Sequence, residues 1–242
     1  MTKNKTRLFF CSLIWVISIA LLAWCEWPIK TVAREIDFLP GDLVIIPPGG
    51  PIQNPGRPEA IQEERRLILE WMPIMRKGDL SKVKLSFIGS KTHGPDNPVL
   101  PLVATNYANI YDSYTINAEA RMELIETEVY PSGLSGHVLP EDQDIYFVWT
   151  LKPKNPGNYE GTAWFYLKLF PLNGGEAFEQ AISAQTVNIK VMSLLGLNSN
   201  YLRFLGVIGL VIGLIILEIE NIGSIIKPFE QKLDGKRKKS QE

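Results

Sequence analysis

The chain has 242 residues, is 45% hydrophobic and carries a formal net charge of −1, a near-zero total that hides two opposite pieces. Residues 26 to 200 hold 15 Lys and Arg against 21 Asp and Glu, a balance of −6, and the remainder holds 10 against 5, a balance of +5. An acidic middle offers no electrostatic footprint for nucleic acid. The two cysteines, Cys11 and Cys25, both lie in the first apolar run, so the middle can have neither a disulfide scaffold nor a thiolate metal site.

Residues 1 to 7 contain Lys3, Lys5 and Arg7, and an uncharged run of 18, LFFCSLIWVISIALLAWC, follows at residues 8 to 25. At about 1.5 Å per residue this is just long enough to span a bilayer, and the basic residues before it place that end in the cytoplasm. A lipoprotein signal requires a small residue before Cys25, where Trp24 stands. A signal peptide cut after Ala20 fits the length of the run, yet the chain stays apolar beyond it. Trp24 and Trp27 sit where an aromatic belt holds an uncleaved helix, so the run reads as an uncleaved anchor.

Residues 26 to 200 are expected to form one extracytoplasmic domain, long enough to bury roughly 70% of its unfolded surface. Leu43 to Ile46 reads as a short first strand ended by Pro47 and Pro48. PPGGPIQNPGRP, residues 47 to 58, has five prolines and three glycines and permits neither helix nor central strand. Residues 58 to 77 read as an inserted helix capping the domain. Pro58 suits its first position, Glu59, Glu63 and Glu64 favour its N-terminal end, and Ile61, Leu67, Ile68, Trp71, Met72 and Met75 make an apolar stripe that Pro73 should kink.

The rest of the domain alternates with period two. Val83, Leu85 and Phe87 make one strand. Ala118, Ala120, Met122 and Leu124 make another, after which Ile125, Thr127 and Val129 continue on the opposite parity, as a β-bulge at Leu124 and Ile125 would produce. Ile145, Phe147, Trp149 and Leu151 lead to a turn at residues 153 to 157. Next come Tyr159 to Leu169 on one face, with Trp164 and Tyr166 on the other, and then Val187, Ile189 and Val191. The expected fold class is mainly β.

Pro156-Gly157-Asn158-Tyr159-Glu160-Gly161 resembles the tyrosine corner of immunoglobulin-like sandwiches, with Gly161 in the place of the family's cysteine. That resemblance implies a sandwich in which the Tyr159 hydroxyl bonds back to upstream backbone, and it implies no activity.

Chemistry-bearing motifs are sparse. His93 and Asp96 with His137, Glu141 and Asp142 would supply metal ligands only if two distant loops met, and solvated turn residues are the default. "PSGLSG" lacks the strand-to-helix setting of a nucleophile elbow, and "PPGGP" lacks the Lys of a phosphate loop. Glu119, Glu123, Glu126 and Glu128 read as a solvated acidic edge. Trp164 and Tyr166 either cover the inserted helix or form an exposed strip for a protein or glycan partner.

A second apolar segment, residues 201 to 222, is uncharged from Phe204 to Leu217 and is followed, within residues 223 to 242, by Lys227, Lys232, Lys236, Arg237, Lys238 and Lys239. Both ends of the chain therefore read as cytoplasmic, beside anionic lipid. Gly206, Gly209 and Gly213 follow i, i+3, i+7 and line one helical face, with Gly209 and Gly213 forming a GxxxG pair. They predict close packing against a membrane-protein partner, or against the first helix through Cys11 and Ser18. The sequence thus reads as a non-enzymatic protein of a bacterial cell envelope: an immunoglobulin-like β-sandwich flanked by two transmembrane helices, with the lipid bilayer and a membrane protein as partners. No cofactor, metal or nucleic acid is expected. The alternatives are a metal-dependent hydrolase using His93 and His137, and a small structural subunit of a transport assembly.

Overall fold

The computed structural model describes residues 2–45, 59–89, 107–216 and 218. It divides into two compact units, Ile29–Met192 and a unit made of Met1–Pro28 with Ser193–Glu242.

The first unit is a β-sandwich. One sheet has the order β1 (Val32–Phe38), β3 (Arg65–Trp71), β5 (Ser81–Gly89), β10 (Ile145–Pro153), β8 (Thr127–Tyr130), all antiparallel. The other has the order β4 (Ile74–Arg76), β12 (Phe178–Met192), β11 (Gly157–Pro171), β7 (Tyr114–Leu124), β9 (Ser135–Val138), with β4 parallel to β12. A small parallel pair, β2 (Glu59–Ala60) and β6 (Ala108–Asn109), precedes a short 3-10 turn at Ile110–Asp112.

The core is the period-two set of the facing strands. Leu67, Leu69, Val83, Leu85, Phe87 and Trp149 from one sheet meet Ala118, Ala120, Phe165, Leu167, Val187 and Ile189 from the other, all buried. Phe87 and Phe165 pack across the sandwich with ring centroids 4.9 Å apart, and Phe147 sits edge-on to Phe165 at 6.3 Å. The alternation expected for Tyr159 to Leu169 holds, with Tyr159, Ala163, Phe165, Leu167 and Leu169 inside.

Gly161 has a separate reason for its identity. A Cβ there would run into the carbonyl of Glu123 and lie 2.6 Å from Leu124 Cδ1, so only glycine lets β7 pass this close.

Tyr159 makes the corner expected of it. Its hydroxyl donates to the Asn155 carbonyl at 2.7 Å and accepts from the Asn155 N–H at 3.3 Å, which closes the turn between β10 and β11.

Three expectations are corrected. Residues 58 to 77 form no helix: Glu59–Ala60, Arg65–Trp71 and Ile74–Arg76 are strands, and residue 58 lies outside the described residues. Arg65, Leu67, Leu69 and Trp71 take the inner face of β3 with Arg66, Ile68 and Glu70 outside, so period two prevailed over a helical stripe that used both Leu67 and Ile68. Pro73 acts as the crossing point, because the chain leaves one sheet after Trp71 and enters the other at Ile74.

The parity change at Leu124 and Ile125 is likewise no bulge. β7 ends in one sheet at Leu124, Glu126 turns with φ 58, and β8 begins in the opposite sheet at Thr127. Reversing the inward face is what moving a strand across a sandwich requires. The first strand is β1, and the Leu43 to Ile46 segment supplies only a bridge from Val44 to Ala60, Ile46 lying outside the described residues. Residues 47 to 58 lie outside them too.

The second unit holds α1 (Thr2–Glu26) and α2, residues 199 to 216, two helices long and apolar enough to cross a membrane.

Candidate functional site

The helix pair is built on small residues. On α1, Cys11, Ser18 and Cys25 are spaced by seven and are all buried, while Phe9, Phe10, Val16 and Ile17 are exposed. On α2 the buried face carries Leu202, Gly206 and Gly213. A Cβ added to Gly206 would lie 2.8 Å from Leu22 Cγ and 3.3 Å from the Ser18 carbonyl oxygen. At Gly209 it would overlap Ser18 Oγ and lie 3.3 Å from Ser18 Cβ, and at Gly213 it would overlap the indole nitrogen of Trp15. Residue numbers fall along α1 as they rise along α2, so the helices are antiparallel and the three glycines form one seam filled by α1. The spacing predicted the seam and left two occupants open; of these it is the first helix, through Ser18, that meets Gly206 and Gly209, with Leu22 and Trp15 beside it and Cys11 not among the contacts.

Polar groups close one end of the pair. Arg203 Nε lies 2.9 Å from Glu26 Oε1, and the same guanidinium donates to Asn200 Oδ1 at 3.0 Å and to the Cys25 carbonyl at 3.4 Å. Cys25 Sγ donates to the Ser199 carbonyl at 3.7 Å. A charge beside an apolar helix is thereby matched by an opposite charge and by backbone acceptors.

On the sandwich, Trp164 and Tyr166 stand side by side on the outer face of β11, half-buried, with ring planes 13° apart and centroids 6.1 Å apart. Trp164 Nε1 donates to Glu123 Oε2 at 3.1 Å, and Arg121 holds the other oxygen of that carboxylate at 2.9 Å. Their cross-strand neighbours on β12 are Ala184 and Ala181, both exposed and too small to cover the rings. With no helix at residues 58 to 77, the expected cover for this strip does not exist.

The acidic edge breaks up in the fold. Glu119 is buried beside Asn117, which donates to it at 2.9 Å, and Glu123 holds Arg121 and Trp164. Glu126 is in the sheet-crossing turn. Glu128 pairs with Lys154 at 3.0 Å in the opposite sheet, and that hydrogen bond and charge hold its carboxyl below the usual range. His137 is exposed on β9, with its ring 5.3 Å from that of Phe147; His93 and Asp96 lie outside the described residues. Among the described residues no group of three His, Cys, Asp or Glu is placed to hold a metal.

A polar cluster that sequence reasoning missed lies at the start of β3. Arg65 is fully buried, faces Phe87 at 5.3 Å, and pairs with Glu63, with Nε 2.6 Å from Oε1. It also donates to the carbonyls of Gln143 and Pro140, at 2.5 and 3.3 Å. Glu63 in turn accepts from the Tyr111 hydroxyl at 2.7 Å and from the Asp142 N–H at 2.8 Å. Burial pushes the Tyr111 hydroxyl above its ordinary range, Arg65 opposes that, and the bond to Glu63 adds to it. With the ion pair satisfied from both sides, the cluster ties three segments together. The signal in the sequence was an Arg on the inward parity of an otherwise apolar strand.

No family model and no curated protein matches the chain. Among solved structures it is similar to a cohesin module from a Clostridium perfringens ATCC13124 family 33 glycoside hydrolase, at 11% identity and a TM-score of 0.30, over 52% of this chain and 95% of that one. An ASH/PapD-like domain of human CEP192 is similar at 10% identity and a TM-score of 0.29, over 50% and 79%. The cupredoxin domain of amoB from Nitrosocaldus yellowstonii is similar at 14% identity and 0.21, over 47% and 56%. Likenesses at these scores and identities say nothing of activity or ligand.

Proposed function

We propose that the chain is a non-enzymatic membrane protein of a bacterial cell envelope, in which a two-helix anchor carries an immunoglobulin-like sandwich outside the cytoplasm. The sandwich serves as an interaction, sensory or accessory module. Its contact surface is the strip of Trp164 and Tyr166, half-buried rings flanked by Arg121 and Glu119 on β7 and by small alanines on β12, the side on which a protein or glycan would meet them.

The observation that carries this reading is the inverted pattern of the helix pair. Glycine, serine and cysteine are inside, whereas Phe9, Val16, Phe204, Val207, Leu214 and Ile215 are exposed. In water such a surface would be an aggregation patch; in lipid it is the ordinary exterior, and small residues are what let helix backbones approach. A soluble core helix would be mostly buried, and only 17% and 22% of the two apolar windows are. The antiparallel arrangement of the helices and the basic residues Lys3, Lys5, Arg7 and Lys236 to Lys239 support a topology with both ends of the chain in the cytoplasm.

Alkaline carbonate extraction of membranes, combined with intact-mass measurement, tests it. The chain should remain in the membrane pellet with residues 1 to 20 still attached and no lipid on Cys25. Release into the supernatant, or a mature chain that starts at Leu21, overturns the two-helix anchor.

A further inference from the structure

Just before α2 the chain makes a tight turn, Leu194-Leu195-Gly196-Leu197, in which the Leu197 N–H donates to the Leu194 carbonyl at 3.0 Å and the two residues form an isolated bridge. Both central residues have positive φ, 54° at Leu195 and 73° at Gly196. Turns of this kind favour Asn or Gly first, because a Cβ strains the left-handed conformation. Here that position holds a leucine, and the residue is 84% exposed. Leu197 is exposed as well. Neither residue fills a core, and the local backbone disfavours Leu195, so the fold alone gives no reason for a leucine there.

We infer that this turn is a membrane-interface foot, its leucines seated at the boundary of headgroups and acyl chains next to the anchor. The inference rests on the membrane reading above. Position is what selects lipid as the occupant. In the sequence the uncharged run extends only from Phe204 to Leu217, between Arg203 and Glu218, which at about 1.5 Å per residue is shorter than a hydrocarbon layer of about 30 Å. Two acids, Glu218 and Glu220, follow that run, whereas the single charge before it, Arg203, is paired, so the extra apolar depth is assigned to the Arg203 end. There the charge of Arg203 is neutralised by Glu26, and the exposed aromatics Trp27 and Tyr201 come next to that pair in the two chain segments, both toward the outer end. Aromatic side chains of this type mark the interface level, and the turn lies a few residues beyond it. Exposed apolar positions continue from Leu195 and Leu197 through Tyr201 to Phe204 and Leu205. A leucine that is strained and wet in water is strained but solvated by lipid here, and apolar area buried at the interface gives a modest added hold on the membrane.

The test uses the full chain in lipid nanodiscs with a nitroxide on a cysteine introduced as Leu195→Cys, and separately as Val211→Cys in the exposed middle of α2. The native cysteines are both buried, and the unsubstituted chain serves as the labelling blank. Collision with oxygen, which concentrates in lipid, is compared with collision with a water-soluble nickel chelate. The label at 195 should collide more with oxygen than with the chelate, though less decisively than the label at 211. A second variant, Leu195→Asn, suits the turn backbone but not lipid; it should shift a label at Leu197→Cys toward the chelate and leave the label at 211 unchanged. A water-exposed label at 195 beside a lipid-exposed label at 211 overturns the foot while keeping the anchor. A label at 195 shielded from both reagents means a protein contact and also overturns it. A water-exposed label at 211 removes the anchor itself.

Discussion

The sandwich and the helix pair use the same residue types in opposite places. In Ile29–Met192 the large side chains, Phe87, Trp149 and Phe165 among them, are inside, and charged residues such as Arg66, Glu70 and Lys84 are outside and paired. In the helix pair most large apolar side chains are outside, and glycine, serine and cysteine are inside together with Leu202 and parts of Trp15 and Leu22. On the membrane reading proposed above, the difference reports the solvent. A sandwich in water gains by hiding apolar area, whereas helices in lipid have no such drive and associate where small residues permit close packing. The two units also treat buried charge differently: Arg65 is enclosed with Glu63 and two carbonyls, and Arg203 stays at the end of its helix, partly exposed, with Glu26.

Breaking the sandwich without touching the helices gives the largest expected effect. Glu63→Ala leaves the Arg65 guanidinium buried without its carboxylate, which should cost about 3–5 kcal/mol. Chemical denaturation followed through the near-ultraviolet signal of the sandwich aromatics should show that loss, while cross-linking between α1 and α2 stays intact. A loss of less than about 1 kcal/mol would mean that water replaces Glu63 and that the cluster is not a closed tie.

Tyr159→Phe is the next step down. Removing the hydroxyl orphans the Asn155 carbonyl at the β10–β11 corner, with an expected cost of about 1 kcal/mol, rising to about 3 if that carbonyl stays dry. Unchanged thermal stability would count against the corner as a determinant of the sandwich.

The smallest effect is a pH dependence. Tyr111 has a folded-state pKa raised above its ordinary 10.0, mainly by burial, so its contribution is complete below pH 10. As pH rises past that value the unfolded chain ionises while the folded chain holds its proton, and folding becomes less favourable, by roughly 1 kcal/mol one unit higher. The alkaline slope of the wild type should exceed that of Tyr111→Phe by about one proton. Equal slopes would show that the hydroxyl is solvated.

What the sequence showed and what it hid follow from the same physics. Strands β5, β10, β11 and β12 were legible because one face is buried and the other is not, so alternation survives in the letters. β3 was misread because RRLILEW also supports a helical stripe, and the arbiter, a buried Arg65 on the inner parity, makes sense only once Glu63, Pro140 and Gln143 are brought to it. β1 escaped notice because an edge strand is exposed on most of its length and its VAREIDF pattern carries little contrast. The reversal of parity after Leu124 was visible, but a bulge and a change of sheet look alike until the partner strands are known. Glycine spacing named the seam on α2. The spacing of Cys11 and Ser18 pointed to Ser18 as one occupant, whereas Leu22 and Trp15 are large residues far away in the chain that no small-residue pattern links to it.

The most direct test of the account is a disulfide between the helices. Ser18→Cys with Gly209→Cys brings together two Cβ positions 3.3 Å apart, close to the separation a disulfide needs. The helices fall on different tryptic fragments, separated at Lys30 and Arg203, so the bond is read as a linked peptide in mass spectrometry of isolated membranes. The account predicts near-complete intramolecular linkage in the membrane fraction, abolished when Gly213→Ile is added to push Trp15 out of the seam. Linkage of Gly209→Cys to a second chain instead, or no linked peptide because residues 1 to 20 have been removed, would contradict it.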